Sequence, residues 1–111
     1  MTMPLALDHV VIAVSDLDAA AADYTALLGR APSWRGEHPT YGTRNVLFRI
    51  ENTYVELLGL GAPGGDPRWA GELARFLDVH GEGVYALALG TPNVDQTVRE
   101  MRERGLDDFE A

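Results

Sequence analysis

The sequence predicts an α+β fold, built as β-α-β-β-β and followed by a helix and a second β-α unit. Three observations carry this prediction. Residues 5–14 alternate as an extended strand and run directly into a capped, apolar-striped helix. Residues 43–60 read as two strands around a tight turn at Glu51-Asn52. The strand-to-cap junction Ala13-Val14-Ser15-Asp16-Leu17-Asp18 then returns, in weaker form, as Gly90-Thr91-Pro92-Asn93-Val94-Asp95. The first copy reads β-α-β-β-β and the second reads β-α only.

The elements follow in order. In the first strand, Val10, Ile12 and Val14 share one face, and His9, Val11 and Ala13 share the other, because strand side chains alternate. Ser15 or Asp16 caps the next helix, Leu17 to Leu28, whose stripe is Leu17, Ala20, Tyr24, Leu27 and Leu28; Gly29 stops it. Ala31 to Glu37 forms a second strand, interrupted early by Pro32, before the turn-rich loop 38–43. The hairpin pairs Ile50 with Thr53, Phe48 with Val55 and Leu47 with Glu56. That register gives one face to Val46, Phe48, Ile50, Val55 and Leu57, which should pack on helices. The other face carries Thr43, Asn45, Leu47, Arg49, Tyr54, Glu56 and Leu58, and is either solvent-washed or the wall of a cavity. A Gly/Pro-rich connector, 59–67, leads to a helix over Arg68 to His80 with Trp69, Leu73, Phe76 and Leu77 inward. Trp69 and Phe76 are read as core. A fifth strand covers Val84 to Leu89. Asn93 then caps a last helix, Val94 to Arg104, packing through Val94, Val98 and Met101. Leu106 to Ala111 is a short acidic tail.

Bulk properties narrow the function classes. The 111 residues suit one domain. The formal charge of −8 disfavours nucleic-acid partners, since an acidic surface repels phosphates. Arg99, Arg102 and Arg104 alternate with Glu100 and Glu103, as a solvated helix face does. No apolar run approaches the ~20 residues of a bilayer span, and the N-terminus reads as lacking a signal peptide. There is no cysteine, so disulfides, thiolate metal sites and a Cys nucleophile are excluded. This composition fits a cytoplasmic protein. The glycines at 59, 61, 64 and 65 lack the spacing of a phosphate loop.

His9 is the one polar side chain inside the first strand. It is either a half-buried histidine bonded to a carbonyl or a cleft residue facing Glu56. Glu56 either pairs with Arg49 at the surface or lines a cleft, where its carboxylate must be paired, metal-bound or protonated. His38, with Tyr41 and Asn45, lies where a cleft rim would be, and Trp34 is free of any stripe and can line the mouth. His80 precedes a helix-stopping glycine and reads as a helix-terminal partner.

The segments Asp8-His9-Val10-Val11-Ile12-Ala13-Val14, Tyr54-Val55-Glu56-Leu57-Leu58 and Gly83-Val84-Tyr85-Ala86-Leu87-Ala88-Leu89 resemble the glyoxalase-like, or vicinal oxygen chelate, superfamily. The loop His38-Pro39 with Gly42-Thr43 and Asn45 is similar to its glyoxalase-like domain group. The resemblance implies βαβββ modules of the glyoxalase/bleomycin-resistance type closing around a cleft. The expected division is a first module over 5–60, a linker and helix over 61–83, and the start of an incomplete second module over 84–105.

In the superfamily's enzymes a divalent metal (Zn, Fe, Mn, Ni or Mg) sits in the cleft. His9 and Glu56 match the first module's ligand pair, and Glu56 matches a general base. His38, Tyr41, Asn45, Arg49 and Trp34 are the expected substrate contacts. Setting Asp16 against Asn93 puts Ala86 where the second module's histidine would lie, with Tyr85 expected on the opposite strand face. A metal-free chain is therefore an equal expectation. The implied function is a metal-dependent lyase, isomerase or dioxygenase acting on a small carbonyl or oxygenated metabolite; the alternative is a metal-free protein that sequesters a small molecule. The unpaired sheet edge implies either a piece of a longer protein or completion by a second chain, with a homodimer favoured.

Overall fold

The computed structural model describes residues 2–110. In chain order the elements are β1 (Ala6–Ala13), α1 (Leu17–Leu28), β2 (Trp34–His38), β3 (Thr43–Ile50), β4 (Thr53–Leu60), α2 (Pro67–His80), β5 (Gly83–Gly90) and α3 (Val94–Glu103). The strands form one sheet in the order β2-β3-β4-β1-β5. β1 runs parallel to β4, and all other neighbours are antiparallel.

The β3–β4 hairpin has the expected register, Ile50 opposite Thr53 and Leu47 opposite Glu56. Asn52 takes the positive φ of 64° that the turn needs. The two faces part as the alternation requires. Val46, Phe48 and Leu57 are fully buried on one face, against Leu17 and Ala21 of α1. α1 starts at Asp16, whose carboxylate accepts from the Ala19 N–H at 3.0 Å, and stops at Gly29, which turns left-handed at φ 66°. Leu17 and Ala21 are buried and Ala20, Tyr24 and Leu28 pack against the same cluster, as the stripe requires; only Leu27 departs from it and is exposed.

The opposite sheet face is covered by α2, which contacts β4 and β1 and buries Leu73. α2 begins at Pro67, one residue before the expected start, with proline in the first turn and Asp66 as cap. β2 is shorter than expected and starts at Trp34, since Pro32 cannot enter the ladder; it runs on through His38. The loop after β2 is fixed to the connector by the Asp66 N–H, which donates to Thr40 O at 2.6 Å, and by the Gly61 N–H, which donates to Gly42 O at 2.9 Å.

β5 departs from a regular ladder. Val11 pairs with Ala86 and Ile12 with Val84, so Tyr85 is an extra residue, a β-bulge. α3 is capped by Asn93, whose side chain accepts from the Gln96 N–H at 3.0 Å, in the same way as Asp16 caps α1. It does not pack as expected: none of its residues is buried and Val94 is 51% exposed. Val98 and Met101 are half-buried and, with Val94, face Leu87 and Leu89 of β5 across an open hollow rather than in close contact.

Candidate functional site

The parallel pairing of β1 and β4 sets His9 beside Tyr54 and Val11 beside Glu56. His9 and Glu56 therefore emerge on the same face, one diagonal step apart. His9 Nε2 lies 3.3 Å from Glu56 Oε1, with both side chains about 15% exposed. On its other side, His9 Nδ1 lies 2.7 Å from an Asp8 carboxylate oxygen. A carboxylate only accepts, so Nδ1 carries the hydrogen. An Nε2 lone pair facing Glu56 would then set two acceptors against each other. A proton shared between the two groups, or a cation held by both, relieves that clash.

The remaining contacts fix this pair in place. Asn45 Nδ2 donates to Glu56 Oε2 at 3.2 Å, so both carboxylate oxygens are held. The Tyr54 ring stacks on His9 with centroids 4.3 Å apart and planes 12° apart. Arg49 lies over the far side of Tyr54, 5.6 Å from its centroid. Arg49 thus supports the histidine through Tyr54 and makes no ion pair with Glu56. The Tyr54 hydroxyl ionises above its ordinary range, first through burial and then through Asp8 and Glu56; Arg49 opposes the shift.

Glu56 opens onto a cavity of about 440 Å³ between the sheet and α2. That size falls within the range of small-molecule sites. His38, Tyr41 and Thr43 form one wall; Trp69 and Leu73 of α2 form another. Tyr41 meets the Trp69 ring edge-on at 5.6 Å, and His38 Nδ1 lies 3.0 Å from the Thr43 hydroxyl. Tyr85 completes the lining, contrary to the expectation that it faces away. The bulge explains the difference, because one extra residue lets Tyr85 and Ala86 share a side. Burial, then Glu72 and Glu110, push the Tyr85 phenol upward, so it stays protonated and can donate.

The structure therefore gathers His9, Glu56 and Asn45 into one cluster, and His38, Tyr41 and Glu56 into one cavity. Arg49 and Trp34 line no part of that cavity. Trp34 is 60% exposed on the outer strand β2. Its indole nitrogen and the buried Asn45 Oδ1 both crowd the bare side of Gly36, where an added Cβ would meet them at 2.6 and 2.8 Å. Asn45 Oδ1 itself has no partner. Sequence reasoning missed Trp69 and Tyr85 as cavity residues. A place in a helix stripe reads as core, and strand parity cannot register a bulge.

The donor set allows a direct test of whether a metal fits. Two ligands about 2.1 Å from a tetrahedral ion stand roughly 3.4 Å apart, close to the observed 3.3 Å. Asp8 on Nδ1 and Asn45 on Oε2 are the outer partners that metal ligands commonly have. His9 and Glu56 thus fit one half of a metal set. Among the described residues no group of three or more His, Asp or Glu side chains completes it.

The family model described as "Glyoxalase-like domain" matches residues 7–111. The chain belongs to the glyoxalase-like domain family. Its five-stranded sheet with three helices has the vicinal oxygen chelate fold. The ethylmalonyl-CoA/methylmalonyl-CoA epimerase of Cereibacter sphaeroides is 42% identical over 60 residues, 51% of this chain and 45% of that protein. The human mitochondrial methylmalonyl-CoA epimerase is 32% identical over 102 residues, 88% of this chain and 53% of that protein. The chain thus spans about half the length of these curated relatives. Among solved structures, the Streptomyces coelicolor methylmalonyl-CoA epimerase (S115T), in complex with 2-nitronate-propionyl-CoA, superposes with a TM-score of 0.75 at 27% identity. That match covers 92% of this chain and 71% of the other. No helix among the described residues is long and apolar enough to cross a membrane.

Proposed function

We propose that this glyoxalase-like chain forms one wall of an isomerase-type cleft, in which Glu56 takes a proton from a carbon next to a carbonyl. The observation that carries this reading is the Glu56 carboxylate, held through both oxygens by His9 and Asn45 while it faces a cavity that Tyr85 also lines. The C–H electron pair moves into an enolate as the proton passes to Glu56. The Tyr85 O–H donates to the enolate oxygen, where charge develops. The Glu56 carboxylic acid or solvent then returns a proton to carbon. His9 and Glu56 would also hold a divalent ion on one side, with further ligands from outside the described residues. Such an ion supplies Lewis-acid polarisation of the carbonyl. The similarity to acyl-CoA epimerases supports an isomerase over a lyase or dioxygenase.

The test follows deuterium entry from D2O at the α-carbon of a panel of ketones and thioesters, by NMR. We expect exchange with the natural chain and a loss of about 100-fold or more in Glu56→Gln, within the range for removing a general base. Circular dichroism of that variant should be unchanged. Equal exchange in the two proteins would remove Glu56 from the chemistry.

A second reading, metal-free binding of a small molecule, is favoured by one observation. The register places Ala86, which cannot ligate, on the cleft side opposite Val11. Under that reading a ligand binds and no exchange occurs. We also infer that a second copy covers the outer edge of β5, because this strand lies at the sheet edge, carries no charge and leaves Leu87 and Leu89 exposed.

A further inference from the structure

We propose that the Trp34 indole N–H is the missing partner of the buried Asn45 Oδ1, which makes Trp34 a positioning residue that locks the Asn45 amide onto Glu56. Its effect on turnover rests on Glu56 being the base of the reaction proposed above; the hydrogen bond itself does not.

The first support is placement. Gly36 stands opposite Asn45, and Trp34 stands opposite Leu47, which in turn faces Glu56. Opposed and alternate strand residues share a face, so Trp34, Gly36, Asn45 and Glu56 all lie on one side of the sheet. Trp34 Nε1 and Asn45 Oδ1 converge there. Both fall within 2.8 Å of the position that a Cβ on Gly36 would take. Gly36 has no positive φ to account for it. A glycine inside a strand weakens the strand and often marks a close approach. What approaches here is the indole from two residues back and the amide from the facing strand.

The second support is the accounting of polar groups. Asn45 is 7% exposed, its Nδ2 donates to Glu56 Oε2 at 3.2 Å, and its Oδ1 is buried with no partner. A buried acceptor is normally paired. An indole carries a donor and no acceptor, so it serves Oδ1 and cannot serve an amide turned the other way. A flipped Asn45 would set its NH2 against the indole N–H and its oxygen against the Glu56 carboxylate, and both bonds would be lost. Trp34 is 60% exposed, so little packing opposes the turn of the ring that closes the bond.

The test follows exchange of the Trp34 indole proton with solvent by 15N NMR, its resonance being the one absent from Trp34→Phe. We expect it to exchange about tenfold more slowly in the natural chain than in Asn45→Ala, the protection that one ordinary hydrogen bond gives. Gly36→Ala, whose methyl takes the shared space, should speed exchange with both partners still present. In Trp34→Phe the Asn45 side-chain NH2 protons should exchange faster too, whereas a ring that only packs would be replaced by phenylalanine without that change. In α-carbon deuterium exchange, kcat should fall about tenfold in Trp34→Phe with KM unchanged, as when positioning rather than binding is lost; Trp34 lines no part of the cavity. An indole proton that exchanges equally fast in the natural chain and in Asn45→Ala would overturn the proposal, as would unmoved Asn45 NH2 protons in Trp34→Phe. A slowed indole proton with kcat unchanged in Trp34→Phe would overturn the positioning role. A slowed indole proton in a chain that exchanges no ketone α-proton would sustain the bond and remove the isomerase reading alone.

Discussion

Tyr85 shows how much one side chain's surroundings change its chemistry. Its phenol is raised first by burial, then by the Glu72 and Glu110 carboxylates. As pH rises past the ordinary tyrosine value, the unfolded chain releases this proton before the folded one does. The folded state therefore holds more protons in that window, and stability falls with increasing pH there while remaining level below it. Tyr54 acts in the same direction, with burial leading and Asp8 and Glu56 adding. Urea unfolding midpoints at about pH 9 and about pH 11 should fall in the natural chain and fall less in Tyr85→Phe, since tyrosine ionises near pH 10. An equal fall in the variant would assign the loss to other groups. At this scale the sequence was informative about pairing. Strand parity put Glu56 on the mixed face of the hairpin, and the family resemblance set His9 beside it, as the parallel pairing of β1 and β4 does. It could not give the role of Asp8, because neighbouring strand residues ordinarily point apart, whereas here the Asp8 carboxylate reaches the His9 ring.

At the scale of elements, α1 and α3 carry matching caps and unequal packing. Asp16 and Asn93 each accept from a backbone N–H three residues on. α1 sits on the core cluster of Phe48, Val46 and Leu57, whereas α3 buries no residue. Asp16→Ala should lower global stability by about 1 kcal/mol, the usual worth of such a cap. Asn93→Ala should leave the global midpoint unchanged and speed amide exchange in α3 alone, since a loosely packed helix opens locally. A large global effect of Asn93→Ala would mean that α3 belongs to the cooperative core. The same contrast marks what was legible. The β3–β4 hairpin could be read residue by residue because alternation, length and Asn52 agreed. The packing of α3 could not, because an apolar stripe states what a helix is able to bury and not how closely a layer lies beneath it.

Across the whole molecule, the sheet ends on a strand that natural proteins usually guard. β5 holds no charge and no proline, and it presents Leu87 and Leu89 to solvent. Size-exclusion chromatography with light scattering should show mass rising with concentration, and Leu87→Lys should return the chain to a monomer, since an edge charge opposes pairing. A concentration-independent monomer would leave the β5 edge without a second copy. The bulge in this strand has a consequence for any engineering of it. The chain carries one surplus residue between Val84 and Ala86, and that surplus aims the phenol of Tyr85 at Glu56's side of the sheet. Excising Val84 would iron out the kink, set Tyr85 opposite Ile12 and swing its hydroxyl toward the α1 side. The acid of β4 would keep its place and lose the donor across from it.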